Sequence, residues 1–87
     1  MTEEDTRAAV LESLQEVAPE ADLDGLDPDE SFRDQIEFDS IDYLNFVLIM
    51  ERKLGLKVPE LDYPRLASLS GAVVYLETKI IGAGKAP

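Results

Sequence analysis

The chain has 87 residues, 45% of them apolar, with nineteen Asp and Glu against eight Lys and Arg and no cysteine or histidine. That length suits one domain with a modest core, and the composition excludes disulfides, thiolate metal sites and a cysteine nucleophile. A net charge of −11 argues against nucleic acid and anionic membranes, and favours partners with basic surfaces.

The acidic, polar start from Met1 to Asp5 is the opposite of a signal or transit peptide. The longest apolar run, Phe46 to Met50, is too short to span a bilayer. A soluble, cytoplasmic, monomeric protein without stable membrane association is expected.

The first helix is predicted from about Glu3 to Ala18. Thr2 can cap it, Glu3, Glu4 and Asp5 suit the positive end of its dipole, and Pro19 stops it. Val10, Leu11, Leu14, Val17 and Ala18 recur at helical spacing and give it one buried stripe. Residues 19–38 then form a long acidic connection, an unusual length in a compact domain and one that points to function or partial order. Leu23, Leu26, Phe32 and Ile36 are its apolar anchors, with a short helical turn expected near Asp29 to Arg33.

The second helix starts at Asp39 or Ser40 and closes at Gly55, where glycine can turn left-handed, with Pro59 shortly beyond. Residues 60–67 form a short third helix interrupted by Pro64, and Ser68 or Ser70 caps a last helix through Ile80. The inner face of that helix is Leu69, Ala72, Val73, Leu76 and Ile80, and residues 82–87 form a flexible tail behind a domain of residues 1–81. With no repeat and no convincing strand pattern, the reading is all-α: a small four-helix bundle of three longer helices plus one short one, with a long loop between the first and second helices.

The second helix carries more apolar surface than one stripe needs. One row runs through Tyr43, Phe46, Val47, Met50 and Leu54; another runs through Ile41, Leu44 and Leu48 on the edge nearest Ser40. Either the helix is central and covered all round, or the second row stays partly exposed and docks partner proteins in a helix-in-groove manner.

Ser40 is a hydroxyl at a helix start with no histidine anywhere to act as its base. It reads as a group that another enzyme modifies. A serine at such a place is most often simply a cap; here Asp39 is assigned the cap and the Ser40 hydroxyl is left outward. Charge is also lopsided. Residues 1–42 hold fifteen acidic residues and two arginines, and residues 43–87 hold four acidic and six basic ones.

Over about residues 5–80 the chain resembles the acyl carrier protein family. The resemblance rests on Asp39-Ser40-Ile41-Asp42 after a long acidic loop, on Leu54 through Pro59 at the family's usual distance, and on Leu69 through Leu76 as its last helix. It implies that Ser40 carries 4′-phosphopantetheine, attached from coenzyme A by a separate phosphopantetheinyl transferase, and that acyl groups ride on the arm's thiol as thioesters. The protein would then do no catalysis. It would present cargo to a loading ligase or acyltransferase and to ketosynthase or other acyl-processing enzymes, as in fatty acid biosynthesis. Asp39 carries over as the residue before the attachment serine. A phosphodiester at Ser40 would also suit the positive end of a helix.

Three positions depart from the family's pattern. Glu37 stands where the family usually has glycine, Asn45 occupies a position resembling an acidic docking site, and Glu51 is followed by the basic Arg52 and Lys53. Residues 40–55 are thus close to neutral, leaving Glu37, Asp39, Asp42 and Glu51 as acidic docking candidates beside Ile41, Leu44 and Leu48. This reads as specialisation for a dedicated ligase or secondary pathway; the alternative is a housekeeping fatty-acid carrier.

Two other classes compete. Glu20, Asp22, Asp24 and Gly25 match the opening of an EF-hand calcium loop, but Ser31 stands where the closing bidentate glutamate is needed. A helical interaction domain without a prosthetic group would use the same Ile41, Leu44 and Leu48 face with no dependence on Ser40.

Overall fold

The first helix begins where Thr2 accepts the Asp5 amide at 3.2 Å while Asp5 returns a bond to the Thr2 amide at 3.1 Å. This reciprocal box satisfies two of the amides a helix start leaves open. In the computed structural model, which describes residues 2–85 with side chains through Ile80, the helix α1 spans Glu3–Val17, with Ala18 its C-terminal cap. Of its expected stripe, Val10 and Leu14 are fully buried while Leu11, Val17 and Ala18 are half-buried. Thr6 and Ser13 are also buried, each hydroxyl donating to the carbonyl one turn back, at Thr2 and Ala9.

The long connection is tied down at several points. A one-turn helix α2 forms at Phe32–Gln35, a few residues later than the expected Asp29 to Arg33. Tertiary bonds decide this: the Phe32 amide donates to the Ala67 carbonyl at 2.8 Å, and the Ser70 amide to Pro28 at 2.8 Å. The connection is thereby stitched to the start of the last helix, and the Phe32 ring is driven wholly into the core.

Helix α3 spans Ser40–Leu54 and ends at Gly55, whose φ of 64° is left-handed as its place past a helix end requires. The third helical segment is a 3₁₀ helix, Glu60–Leu66. Pro64 lies inside it, and the missing amide and fixed φ of proline favour a short, tighter turn over a regular α-helix. Helix α4 spans Leu69–Lys85, capped by Ser68, whose hydroxyl accepts the Gly71 amide at 3.1 Å.

The helix runs further than the expected end at Ile80: Gly82 through Lys85 continue α4. Glycine weakens a helix by only about 1 kcal/mol and does not break it as proline does. Ala86 and Pro87, the remainder of the expected tail, lie outside the described residues.

The fold is all-α. Among the described residues the only sheet-like pairing is an isolated antiparallel bridge between Ser31 and Ser68. Helix α1 packs on both α3 and α4, while the 3₁₀ helix packs on α4. Val10, Leu14, Phe46, Met50, Leu66 and Leu76 meet at the centre, each fully buried. Two tyrosine hydroxyls hold the 3₁₀ segment in place: Tyr43 donates to the Tyr63 carbonyl, and Tyr75 donates to Asp62 at 2.6 Å. No described helix is long and apolar enough to cross a membrane.

Candidate functional site

The start of α3 is fixed by two devices that work together. Asp39 is the N-cap: its carboxylate accepts the Asp42 amide at 2.8 Å, and Asp42 accepts the Asp39 amide at 3.3 Å. Around that box the flanking aromatics clasp. Phe38, one residue before the cap, meets Tyr43 in the first turn edge to face, with centroids 5.8 Å apart. This is a hydrophobic staple, which sets the angle at which the chain enters a helix. Phe38 is only 7% exposed and also packs edge to face on Phe32 at 6.1 Å and Phe46 at 5.8 Å. Phe38 is missing from the sequence-predicted anchors. Its signal was the aromatic pair flanking the capping residues.

Ser40 follows as the first residue of the helix and is exposed. Since Asp39 supplies the cap, no hydrogen bond among the described residues engages the Ser40 hydroxyl. The box also consumes the Asp39 and Asp42 amides and leaves those of Ser40 and Ile41 without an acceptor there. The site therefore offers an uncommitted primary hydroxyl, two open amides and the positive end of a fifteen-residue helix. A phosphate ester fits that donor set. Self-activation does not, because Asp39 and Asp42, the carboxylates that flank Ser40 in sequence, are engaged in the cap. Glu37, two residues before the cap, is exposed and has no left-handed backbone, since among the described residues no non-glycine residue has positive φ. Glycine is thus not required there.

The apolar rows of α3 separate cleanly. Phe46, Val47 and Met50 are buried, and Tyr43 and Leu54 pack against the core from its edge. Ile41 is 71% exposed, Leu44 45% and Leu48 43%. Those three residues, with Ser40, Glu37 and Asp42, run from the approach to just past the middle of α3.

Glu51 stands apart from that group. It lies about three turns from Ser40 along the helix, and its carboxylate accepts the buried Val58 amide at 2.7 Å, closing the turn that leaves α3. Lys53 is likewise engaged internally, reaching Glu16 at 3.0 Å and Glu12 at 3.6 Å on α1. Its bond to Glu16, more than any other contact, holds the ammonium above its ordinary pKa.

Beside the start of α3 opens a cleft of about 640 Å³. Val17 and Ala18 at the end of α1, with Glu20, Ala21 and Asp22 just beyond it, form one side, Gln35, Ile36 and Glu37 the other, and Asp42 its edge on α3. The cleft is not legible in the sequence, because its walls come from segments some fifteen to twenty-five residues apart.

Comparison with known proteins bears on the same region. Residues 8–73 match the family model described as the phosphopantetheine attachment site. The acyl carrier protein of Campylobacter hominis is 31% identical over 74 residues, covering 85% of this chain and 87% of that protein. That of Exiguobacterium sp. is 28% identical over 78 residues, covering 86% of this chain and 99% of that protein. The meromycolate extension acyl carrier protein of Mycobacterium tuberculosis is 27% identical over 77 residues, covering 88% of this chain and 66% of that protein.

Proposed function

The chain belongs to the phosphopantetheine-attachment family as an acyl carrier protein, and from that premise we propose that Ser40 is the residue that bears the prosthetic group. A member of this family is a carrier, not an enzyme: it holds 4′-phosphopantetheine covalently and works with a phosphopantetheinyl transferase and acyl-processing enzymes. The prosthetic group supplies a thiol on which acyl groups form thioesters; the residues of the chain supply position and recognition.

One observation carries the assignment to Ser40. Its hydroxyl is exposed at the first position of α3 while Asp39 performs the capping that would otherwise draw that hydroxyl inward. The open amides of Ser40 and Ile41 and the helix dipole favour the negative charge that a phosphodiester brings. Asp39 holds the backbone, and Glu37 and Asp42 give the approach a negative field that steers basic partner surfaces. Ile41, Leu44 and Leu48 supply the apolar contact on which those partners close. Glu51 contributes to the fold more than to docking, since its carboxylate is engaged with Val58.

The proposed setting is a specialised lipid or secondary-metabolite pathway in the cytoplasm, with its own loading ligase or acyltransferase. The near-neutral α3 supports this, with Asn45, Arg52 and Lys53 where charge-driven recognition would want acids. The name of the mycobacterial meromycolate relative points the same way.

The deciding experiment incubates the chain with a promiscuous phosphopantetheinyl transferase and coenzyme A and reads the intact mass. One phosphopantetheine is expected on the wild type and none on Ser40→Ala. No addition, or addition that survives the substitution, would overturn the assignment. Efficient turnover of the holo protein by housekeeping malonyl transferase and ketosynthase, equal to that of a strongly acidic carrier, would count against specialisation.

A further inference from the structure

We propose that the groove at the far end of α3 docks a partner protein through a segment that pairs carboxylates with apolar side chains. This rests on Ile41, Leu44 and Leu48 as a docking row and names the chemistry of the partner that meets it. The groove, of about 610 Å³, forms where the last turns of α3 meet the chain leaving Gly55. Leu48 and Leu56 line it with apolar surface, and the exposed Arg52 and Lys57 line it with positive charge. Leu48 is also the last of the three open residues of the row, so row and groove are continuous.

The charge of the groove is opposite to that of the chain. Three basic residues, Arg52, Lys53 and Lys57, lie close in sequence around Gly55. Lys53 is neutralised by Glu16 and Glu12 on α1, whereas Arg52 and Lys57 enter no ion pair among the described residues. The one acid that lines the groove, Glu51, has its carboxylate bonded to the Val58 amide. The helix dipole accounts for a cation in the last turn of α3, as at Arg52. Lys57 lies beyond the helix, where that account does not reach. In a chain of net charge −11, two open cations beside leucine surface fit carboxylates that arrive from outside.

The turn is held before any partner arrives. The Glu51 carbonyl accepts the amides of Gly55 and Leu56, the latter at 3.2 Å, while its carboxylate takes that of Val58 at 2.7 Å. Preorganisation of this kind lowers the cost of binding.

The docking face thereby has two poles. Glu37 and Asp42 flank Ser40 at one end, and Arg52 and Lys57 mark the other. Asp42 and Arg52 lie about 15 Å apart along the axis by the rise of an α-helix, beyond the screening length of about 8 Å at physiological salt. Each pole therefore meets its own complement. A partner with a uniformly basic edge is attracted beside Ser40 and repelled at the groove, whereas one whose edge turns acidic there is favoured at both.

The test titrates the isotope-labelled full chain with the peptide acetyl-Glu-Leu-Glu-Leu-Glu-amide and, separately, with its lysine counterpart, reading backbone amide shifts. Saturable shifts at Leu48, Arg52, Leu56 and Lys57 are expected with the acidic peptide. Its affinity should exceed that of the lysine peptide about tenfold at low salt, and the preference should fade at about 1 M salt. Arg52→Glu with Lys57→Glu should invert the preference, and Arg52→Gln with Lys57→Gln should abolish it. Equal affinities for the two peptides, or acidic-peptide shifts as strong around Arg65 and Lys79 as at the groove, would overturn the proposal. Concentration-dependent broadening of the groove amides without peptide would overturn it too, giving the groove to a second copy of the chain. These readings need no modified serine, so they stay separate from the mass shift that tests Ser40 and from the transfer rates that test Ile41 and Leu44.

Discussion

Phe38 and Tyr43 meet edge to face at 5.8 Å across the first turn of α3, bracketing the serine between them in sequence. The pair fixes where Ser40 points, because it sets the angle between the approach and the helix. Phe38→Ala removes this clasp together with a ring buried against Phe32 and Phe46. A loss of about 3–5 kcal/mol in urea unfolding is expected. Phe38→Leu should cost clearly less, while slowing transferase modification through the altered entry angle.

Asp39 has two separable roles, and two substitutions divide them. Asp39→Ala loses the bond to the Asp42 amide and should lower stability by about 1 kcal/mol. Asparagine caps as well as aspartate, so Asp39→Asn should unfold within a few tenths of a kcal/mol of wild type. Slower modification of Asp39→Asn at unchanged stability would then report the carboxylate's charge in recognition. Equal rates for the two proteins would leave Asp39 as a cap alone. Urea titration and intact-mass time courses provide both readings.

Glu51 is expected to show its importance in stability. Removing its carboxylate leaves the amide of the buried Val58 without that partner in an otherwise largely exposed turn, and a lost hydrogen bond to a charged group costs about 1.5–3 kcal/mol. Glu51→Ala should fall near the lower end of that range, because water can reach part of the turn, and Glu51→Gln should recover much of the loss. If Glu51→Ala leaves urea unfolding unchanged but weakens partner binding, the internal role is wrong.

What the sequence made legible follows the range of the interactions. The caps at Thr2, Asp39 and Gly55 depend on residues within one helical turn, and the residue types at those places identify them. The two apolar rows of α3 also follow from spacing, which left open whether the second is covered; the structure leaves Ile41, Leu44 and Leu48 exposed. The features that were not legible depend on partners far along the chain. Helix α2 sits at Phe32 because Ala67 and Ser70 hold the connection there. Glu51 looks like a surface acid until the turn after Gly55 brings Val58 to it. The cleft exists only where the end of α1 meets Ile36 and Glu37. At the C-terminal end the spacing of apolar residues stops at Ile80, whereas α4 runs on to Lys85.

The tyrosines that hold the 3₁₀ helix give the stability a sign at high pH. Burial raises the Tyr43 hydroxyl to about 12, with Tyr63 nearby adding to the shift. Burial, followed by the bond to Asp62, raises Tyr75 to about 12. A folded-state pKa above the unfolded value near 10 means that the unfolded chain loses these protons first. The contribution is therefore complete below pH 10 and disappears as pH rises from about 10 to 12. Wild type should lose stability across that interval, and a Tyr43→Phe, Tyr75→Phe double variant should lose less. Phenolate absorbance of the folded single variants identifies which tyrosine titrates late; a folded-state transition near 10 for both would contradict the burial argument.

The exposed row on α3 yields the prediction that separates docking from folding. Leu44 is nearly half exposed and Ile41 more so, so little apolar surface is lost when either is made polar. Exposed substitutions of this kind usually change stability by less than about 0.5 kcal/mol. Leu44→Glu and Ile41→Glu should accordingly unfold like the wild type. In binding, an apolar residue that anchors an interface costs more than about 1 kcal/mol when removed, which is close to a tenfold loss of affinity. A drop of that size is expected in kcat/KM for phosphopantetheinyl transfer to each variant, and a further loss for the pair, with Asn45→Ala as the neighbouring control on the same helix. If Leu44→Glu and Ile41→Glu are modified at the wild-type rate and destabilise the chain instead, the row belongs to the core. The apolar excess of α3 would then serve folding and not recognition.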